Sequence, residues 1–342
     1  MKMPVRILLW VLCAVTVLGM PFVLSAPNQV AEPPVDWDEG AFAFLLPAAC
    51  AEESTEEKTE EASVVPDEKY ALPVDFSAGM ALNPAAYTEN GYQDDSISVQ
   101  METREVDGVK WRIAYVQIKH PSQLRTAAAG KLTSSKTALP SSMAKAKNAV
   151  MAINADYFSN DPEKTRFEFR QGEQITKNRG GKYTNNIKDV LVIDANGDFH
   201  TFITFPKETY EALMASDIRI VNAFMFGPTL VHEGQLVEVS EDYGYNPTGD
   251  EPRTAIGQTG PLSYVLVVAE GRTDESEGVT QQELADFMFE LGCVEAFNLD
   301  GGNSATMVYK GELYMDKAAS SERAQSDIIY FASAVDPAAW QE

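Results

Sequence analysis

The sequence predicts an α+β fold, a mixed and largely antiparallel sheet built from hairpins with a few packed helices. Apolar, β-branched runs recur in pairs around short turns at Asn196-Gly197, Glu233-Gly234 and Gly260-Pro261. One segment, 281–291, carries a strong helical period with signals at both ends. Strands do not alternate with helices as a doubly wound parallel sheet requires.

In chain order, residues 1–26 read as an export segment. Lys2 and Arg6 precede an apolar run from Ile7 to Leu24, about long enough to span a bilayer with the charges inside. An uncleaved membrane anchor and a cleaved signal peptide both fit. The expected location is therefore extracytoplasmic, either membrane-anchored or secreted. The acidic flank of a second patch, Ala41 to Ala51, argues against processing or lipid attachment at Cys50. Residues 27–69 form an acidic spacer, and residues 70–342 the folded domain. Of the net charge of −24, residues 32–68 carry −11 and residues 69–342 carry −15, against +2 at the N-terminus. This balance disfavours nucleic acid as a partner. An anionic substrate needs a local basic pocket.

Within the domain, Val109 to Ile118 alternates as a strand, and Ser141 to Asn148 reads as a short helix leading into a buried strand at 149–153. A long polar connection, 155–187, follows. Residues 164–188 within it hold Lys164, Arg166, Arg170, Lys177, Arg179, Lys182 and Lys188 against Glu168 and Glu173, a net +5. This stretch is either a phosphate-facing lid or a basic loop that meets the acidic spacer. Hairpins at 190–205, 229–239 and 253–269 follow, with a helix at 207–215. If Gln258 faces Ser263, Arg253 faces about Val268 and shares its end of the sheet with Glu270 and Arg272. Thr280 and Glu283 make a capping box for the 281–291 helix, whose apolar face is Leu284, Phe287, Met288 and Leu291. A strand at 294–299, a hairpin at 305–315 and a final strand at 327–335 complete the order.

Candidate chemistry sits after apolar strands. Asn154 and Asp156 follow one, with Tyr157 or Phe158 as a platform for a sugar ring. Asp300 to Ser304 follow another, where Gly301 and Gly302 allow close backbone approach and Ser304 adds a hydroxyl. His120, His200 and His232 stand in no nucleophile or metal motif, and the HExxH, GxSxG and P-loop patterns are absent. The Asp194 to Asp198 stretch is a hairpin turn rather than a calcium loop. Three cysteines form no disulfide framework, and Cys293 reads as a buried structural thiol. No cofactor is expected; if Ca²⁺ binds, Asp156, Glu270 and Asp300 are the carboxylates to hold it.

Six motifs occur in order: Asn154-Ala-Asp-Tyr-Phe158, Phe226-Gly-Pro-Thr-Leu230, Pro252-Arg-Thr-Ala-Ile-Gly257, Val267-Val-Ala-Glu-Gly-Arg272, Asn298-Leu-Asp-Gly-Gly-Asn-Ser304 and Glu322-Arg323. Together they resemble the phosphodiester glycosidase family over about residues 145–335. The resemblance implies a hydrolase that cuts between an anomeric carbon and a phosphate oxygen. It also implies that Asn154, Arg253, Asp300, Gly301, Gly302, Ser304 and Arg323 approach one pocket. Glu270 and Asn303 depart from the family's commoner Asp and Gly, which bears on substrate choice and on activity itself. On this basis Asp300, then Glu270, is expected to activate water. Arg253, Arg272 or Arg323 and the Gly301–Ser304 backbone hold the phosphate, and Asn154 and Asp156 hold sugar hydroxyls. The competing expectation is a surface-anchored accessory that binds or helps assemble exopolysaccharide without hydrolysis. A third, a general phosphodiesterase, lacks a dimetal motif in the sequence.

Overall fold

The strand Ser263–Ala269 is buried at every position, and its place explains its unbroken apolar run. The computed structural model describes residues 64–132, 134, 136–156, 167–175, 189–317 and 321–341. Among these, strands form one nine-stranded and two five-stranded sheets, and every ladder is antiparallel. Ser263–Ala269 lies inside the nine-stranded sheet, between Val109–Ile118 and Arg253–Gly260. Tyr264, Leu266 and Val268 join a core with Ile153, Leu191 and Phe331 of the smaller sheets. Val265, Val267 and Ala269 point the other way, onto Leu284, Phe287 and Met288 of the helix Gln281–Glu290. Both faces of the strand are covered, so neither alternate set of side chains is polar.

The helix begins where its sequence says. The Thr280 hydroxyl accepts the Glu283 amide at 3.1 Å, and the Glu283 carboxylate accepts the Thr280 amide at 2.8 Å. Its packing distance is set from the sheet side. A Cβ on Gly257 would stand 2.5 Å from Cys293 Sγ and 2.9 Å from the end of Met288, so a larger residue would push the helix away. Cys293 is free and buried, and burial pushes its thiol pKa up.

One smaller sheet carries Val190–Asp194 between Phe199–Phe202 and Ile220–Phe224. The other carries Ala149–Asn154 between Met307–Tyr309 and Asp327–Ala332. Several elements differ from the sequence expectation. The first helix is Pro140–Ala146. In the 253–269 hairpin, Gln258 faces Tyr264 and Arg253 faces Ala269, one residue on, because the ladder is irregular between Gln258 and Gly260. The polar connection after 155 contains a hairpin, Glu168–Arg170 with Glu173–Ile175, turned by positive φ at Gln171 and Gly172 (51° and 79°). The strands Ile97–Val106 and Leu124–Ala128 were not anticipated. The Asp194 carboxylate accepts the amides of Asn196 and Asp198, at 2.8 and 3.0 Å, as a hairpin turn does.

Residues 1–63, including the expected anchor and most of the acidic spacer, lie outside the described residues. So do Tyr157, Phe158 and six of the seven basic residues counted in 164–188. Among the described residues no helix is long and apolar enough to cross a membrane.

Candidate active site

Asn154 ends one strand and Asp300 follows another, Glu295–Leu299. The Asp300 amide donates to the Ala155 carbonyl at 3.3 Å. The Asn154 side chain then locks the junction. Its Nδ2 donates to the Asp300 carbonyl at 2.6 Å, and its Oδ1 accepts the Thr254 hydroxyl and the Thr306 amide, each at 2.9 Å. Asn154 is buried, and its amide clamps the 300–306 loop.

The clamp holds Asp300 in a buried position, with 8% of the residue exposed. Burial pushes its pKa up to about 6, while hydrogen bonds from Ser304 and the Gly301 amide and the charge of Arg323 pull the other way. Arg323 Nη1 donates to Ser304 Oγ at 3.1 Å, and Arg323 is exposed. A chain of guanidinium, hydroxyl and carboxyl therefore runs from solvent to Asp300.

The glycine pair packs against the chain at Pro252. The Gly302 amide donates to the Pro252 carbonyl at 2.7 Å, and the Ser304 amide to the Gly301 carbonyl at 3.0 Å. A Cβ on Gly301 would stand 2.6 Å from the Pro252 oxygen. Gly301 thus admits the chain at Pro252, and Gly302, at φ 56°, lies against the Arg272 guanidinium. Arg253 is likewise engaged. Its buried guanidinium donates to the carbonyls of Val279, Tyr245, Asn246 and Gly249, at 2.6 to 3.1 Å, and holds the 245–249 loop. Arg272 crosses Gly302, reaching Asn303 Oδ1 at 3.4 Å and pairing with Glu251. Beneath the same loop, Lys317 Nζ donates to the carbonyls of Asn303 and Ala305, and burial lowers its pKa to about 8.

Glu270 stands apart from Asp300 in its contacts. It is 1% exposed, and Oε1 accepts both Arg112 Nε at 2.5 Å and the Asp316 amide at 2.9 Å. That pairing suits an anchor for the 316 turn better than a base that must meet water.

Asp156 enters a second group that sequence reading did not assemble. Its Oδ2 accepts the Met225 amide at 2.9 Å and lies 3.8 Å from Arg170 Nη2. Arg170 Nε bonds Asp327 at 2.6 Å, and its Nη1 bonds the Phe169 and Ala223 carbonyls. Burial and the charge of Glu168 push the Asp156 pKa up to about 7 against the pull of Arg170. Arg170, counted above as part of a basic loop, is buried at 2% exposure. The available signal was a charged residue, Asp327, opening an otherwise apolar strand. Among the described residues no group of three or more metal-ligating side chains is arranged to hold an ion.

A phosphodiester glycosidase family model matches residues 147–332, more than half of the chain. The chain belongs to the phosphodiester glycosidase family. A SPbeta prophage-derived uncharacterized protein, YomE, of Bacillus subtilis is 27% identical over 188 residues, 55% of this chain and 28% of that protein. Human N-acetylglucosamine-1-phosphodiester alpha-N-acetylglucosaminidase is 46% identical over 95 residues, 25% of this chain and 18% of its own length. The matches thus span under a third of the length of each of these curated relatives. The zebrafish enzyme of the same name, solved as a catalytic domain auto-inhibited by its pro-peptide, shares the fold. Its TM-score is 0.55 at 16% identity, over 75% of this chain and 87% of that one.

Proposed function

We propose that this phosphodiester glycosidase works outside the cytoplasm, hydrolysing a glycosyl-1-phosphodiester to free sugar and a phosphomonoester. The observation that carries this reading is the Arg323–Ser304–Asp300 chain. An ionised Asp300 takes a proton from water as its oxygen attacks the anomeric carbon, and the bonding pair of the broken C–O bond stays with phosphate. Ser304 and the Gly301 amide orient the carboxyl. Arg323, exposed and bonded to Ser304, meets the anion through charge-assisted hydrogen bonds. Arg253 contributes by holding its loop. The export-type N-terminus supports the location, and the human relative's name supplies the first sugar to try.

The test is incubation of the full-length chain with N-acetylglucosamine-1-phosphate methyl diester, with free sugar and methyl phosphate followed by NMR. Release of both products by the parent and not by Asp300→Asn is expected. Glycan binding without turnover, unchanged in Asp300→Asn, would replace the hydrolase with a polysaccharide-binding or assembly accessory.

A further inference from the structure

The cleft beside Asp156 has no part in the reading above. It is a solvent-open depression between the loop residues Gly130, Lys131, Ser134 and Lys136 and the group of Asp156, Glu168, Arg170 and Asp327. Two lysines of that loop, Lys131 and Lys136, line it and are exposed. The Ser134 hydroxyl, also on the lining, is buried without a hydrogen-bond partner among the described residues. Reciprocal backbone bonds of 2.8 and 2.9 Å between Ala138 and Gln325 tie this loop to the segment that runs from Arg323 to Asp327. The cleft and the Asp300 site therefore share a wall. Asp327 bears electrostatically on both Asp156 and Asp300, and the Asp300 amide bonds the carbonyl of the residue just before Asp156.

We propose that this cleft seats the phosphodiester, with Lys131 and Lys136 on its anionic oxygens and the Asp156 carboxyl protonating the oxygen that leaves while Asp300 takes a proton from the attacking water. This rests on the hydrolase reading and extends it. Water's oxygen bonds to the anomeric carbon and its proton passes to Asp300. The C–O bond breaks with its electron pair on the phosphate oxygen, which receives the Asp156 proton. Solvent then restores both carboxyls. The two environments favour different roles: burial raises both carboxyl pKa values, the charge of Glu168 adds to the rise at Asp156, and Ser304, Arg323 and the Gly301 amide hold Asp300 back. Around Asp156 stand Glu168, Asp327, Arg170 and Tyr243. Lys131 and Lys136, both exposed on the lining, bring the positive charge that an anion would meet there. The departing monoester has its own second ionisation near pH 6, which a donor of this strength matches.

The test uses the full-length chain with two substrates, the methyl phosphodiester above and the matching glycosyl fluoride, whose leaving group carries no phosphate and needs no proton donor. Lys131→Ala/Lys136→Ala is expected to raise KM for the diester about 10-fold and leave fluoride hydrolysis unchanged. Asp156→Asn is expected to lower kcat on the diester by about 10²-fold and remove the alkaline limb of its pH profile, again sparing the fluoride. Asp300→Asn loses both substrates. Diester KM unchanged in the lysine variant, or Asp156→Asn losing both substrates equally, would overturn the proposal while the hydrolase stands. If the parent cleaves neither substrate, the hydrolase reading itself falls and takes this proposal with it. A thermal melt of Asp156→Asn at pH 5, where the parent carboxyl is also neutral, separates chemistry from misfolding. Should that variant not fold, the exposed lysines still decide the matter.

Discussion

The side-chain amide of Asn154 donates to the main-chain carbonyl of Asp300 across 2.6 Å, which joins the ends of strands from two different sheets. Asn154→Ala would leave the buried Asp300 carbonyl and Thr306 amide without their partner. A loss of roughly 2–4 kcal/mol in urea unfolding is expected, with kcat falling because the Asp300 carboxyl is no longer held. A stability like that of the parent would mean that the clamp is dispensable.

Asp300→Asn is expected to trade activity for stability. The carboxyl pKa is about 6 in the folded chain against 3.8 ordinarily, so folding favours the acid form. That contribution is complete below about pH 4 and is lost as pH rises through about 6. The neutral amide should therefore raise the melting temperature at pH 7.5, by an amount equivalent to roughly 2–3 kcal/mol, and leave it unchanged at pH 3.5. Turnover should fall by about 10²–10⁴-fold. Calorimetry at the two pH values checks the sign.

Arg253→Met should act on stability and not on substrate affinity. Removing the guanidinium strips donors from four carbonyls, and a cost on the order of 3 kcal/mol is expected. KM for the diester should stay within about 3-fold of the parent, since the Arg253 donors are engaged by backbone carbonyls. A KM increase of ten times or more, in a variant as stable as the parent, would return Arg253 to the substrate.

Glu270→Gln should likewise weaken the fold. It leaves Arg112 facing a neutral group in a mostly buried pair, a change worth about 3 kcal/mol. A double-mutant cycle with Arg112→Met should recover most of that as coupling. Loss of kcat as deep as that of Asp300→Asn, without loss of stability, would make Glu270 the base.

The parts of this fold that can be read from sequence are those with local causes. The helix Gln281–Glu290 announces itself by its capping box and apolar face, and Asn196-Gly197 by its turn chemistry. The strand Ile97–Val106 was missed because Glu102, Arg104 and Glu105 fall on its less buried half and mask the alternation of Ile97, Val99 and Met101. Asp300, Ser304 and Arg323 could be nominated from ordered motifs. The hydrogen bond between Arg323 and Ser304 spans 19 residues of chain, and only folding makes it. Arg253 could be nominated from its motif, but its acceptors are the backbone carbonyls of Tyr245, Asn246, Gly249 and Val279, which have no sequence signature. The bond from Arg170 to Asp327 crosses 157 residues, so no window on the sequence could have contained it.

The close seat of Cys293 against Gly257 makes the thiol a clock for the whole molecule. A reagent can reach that sulfur only when the helix lifts from the sheet, and the lifted state exposes the packing of Leu284, Phe287 and Met288 with it. At reagent concentrations where labelling outpaces reclosing, the rate at which Cys293 is labelled in the native protein counts those openings, with no dye, tag or substrate required.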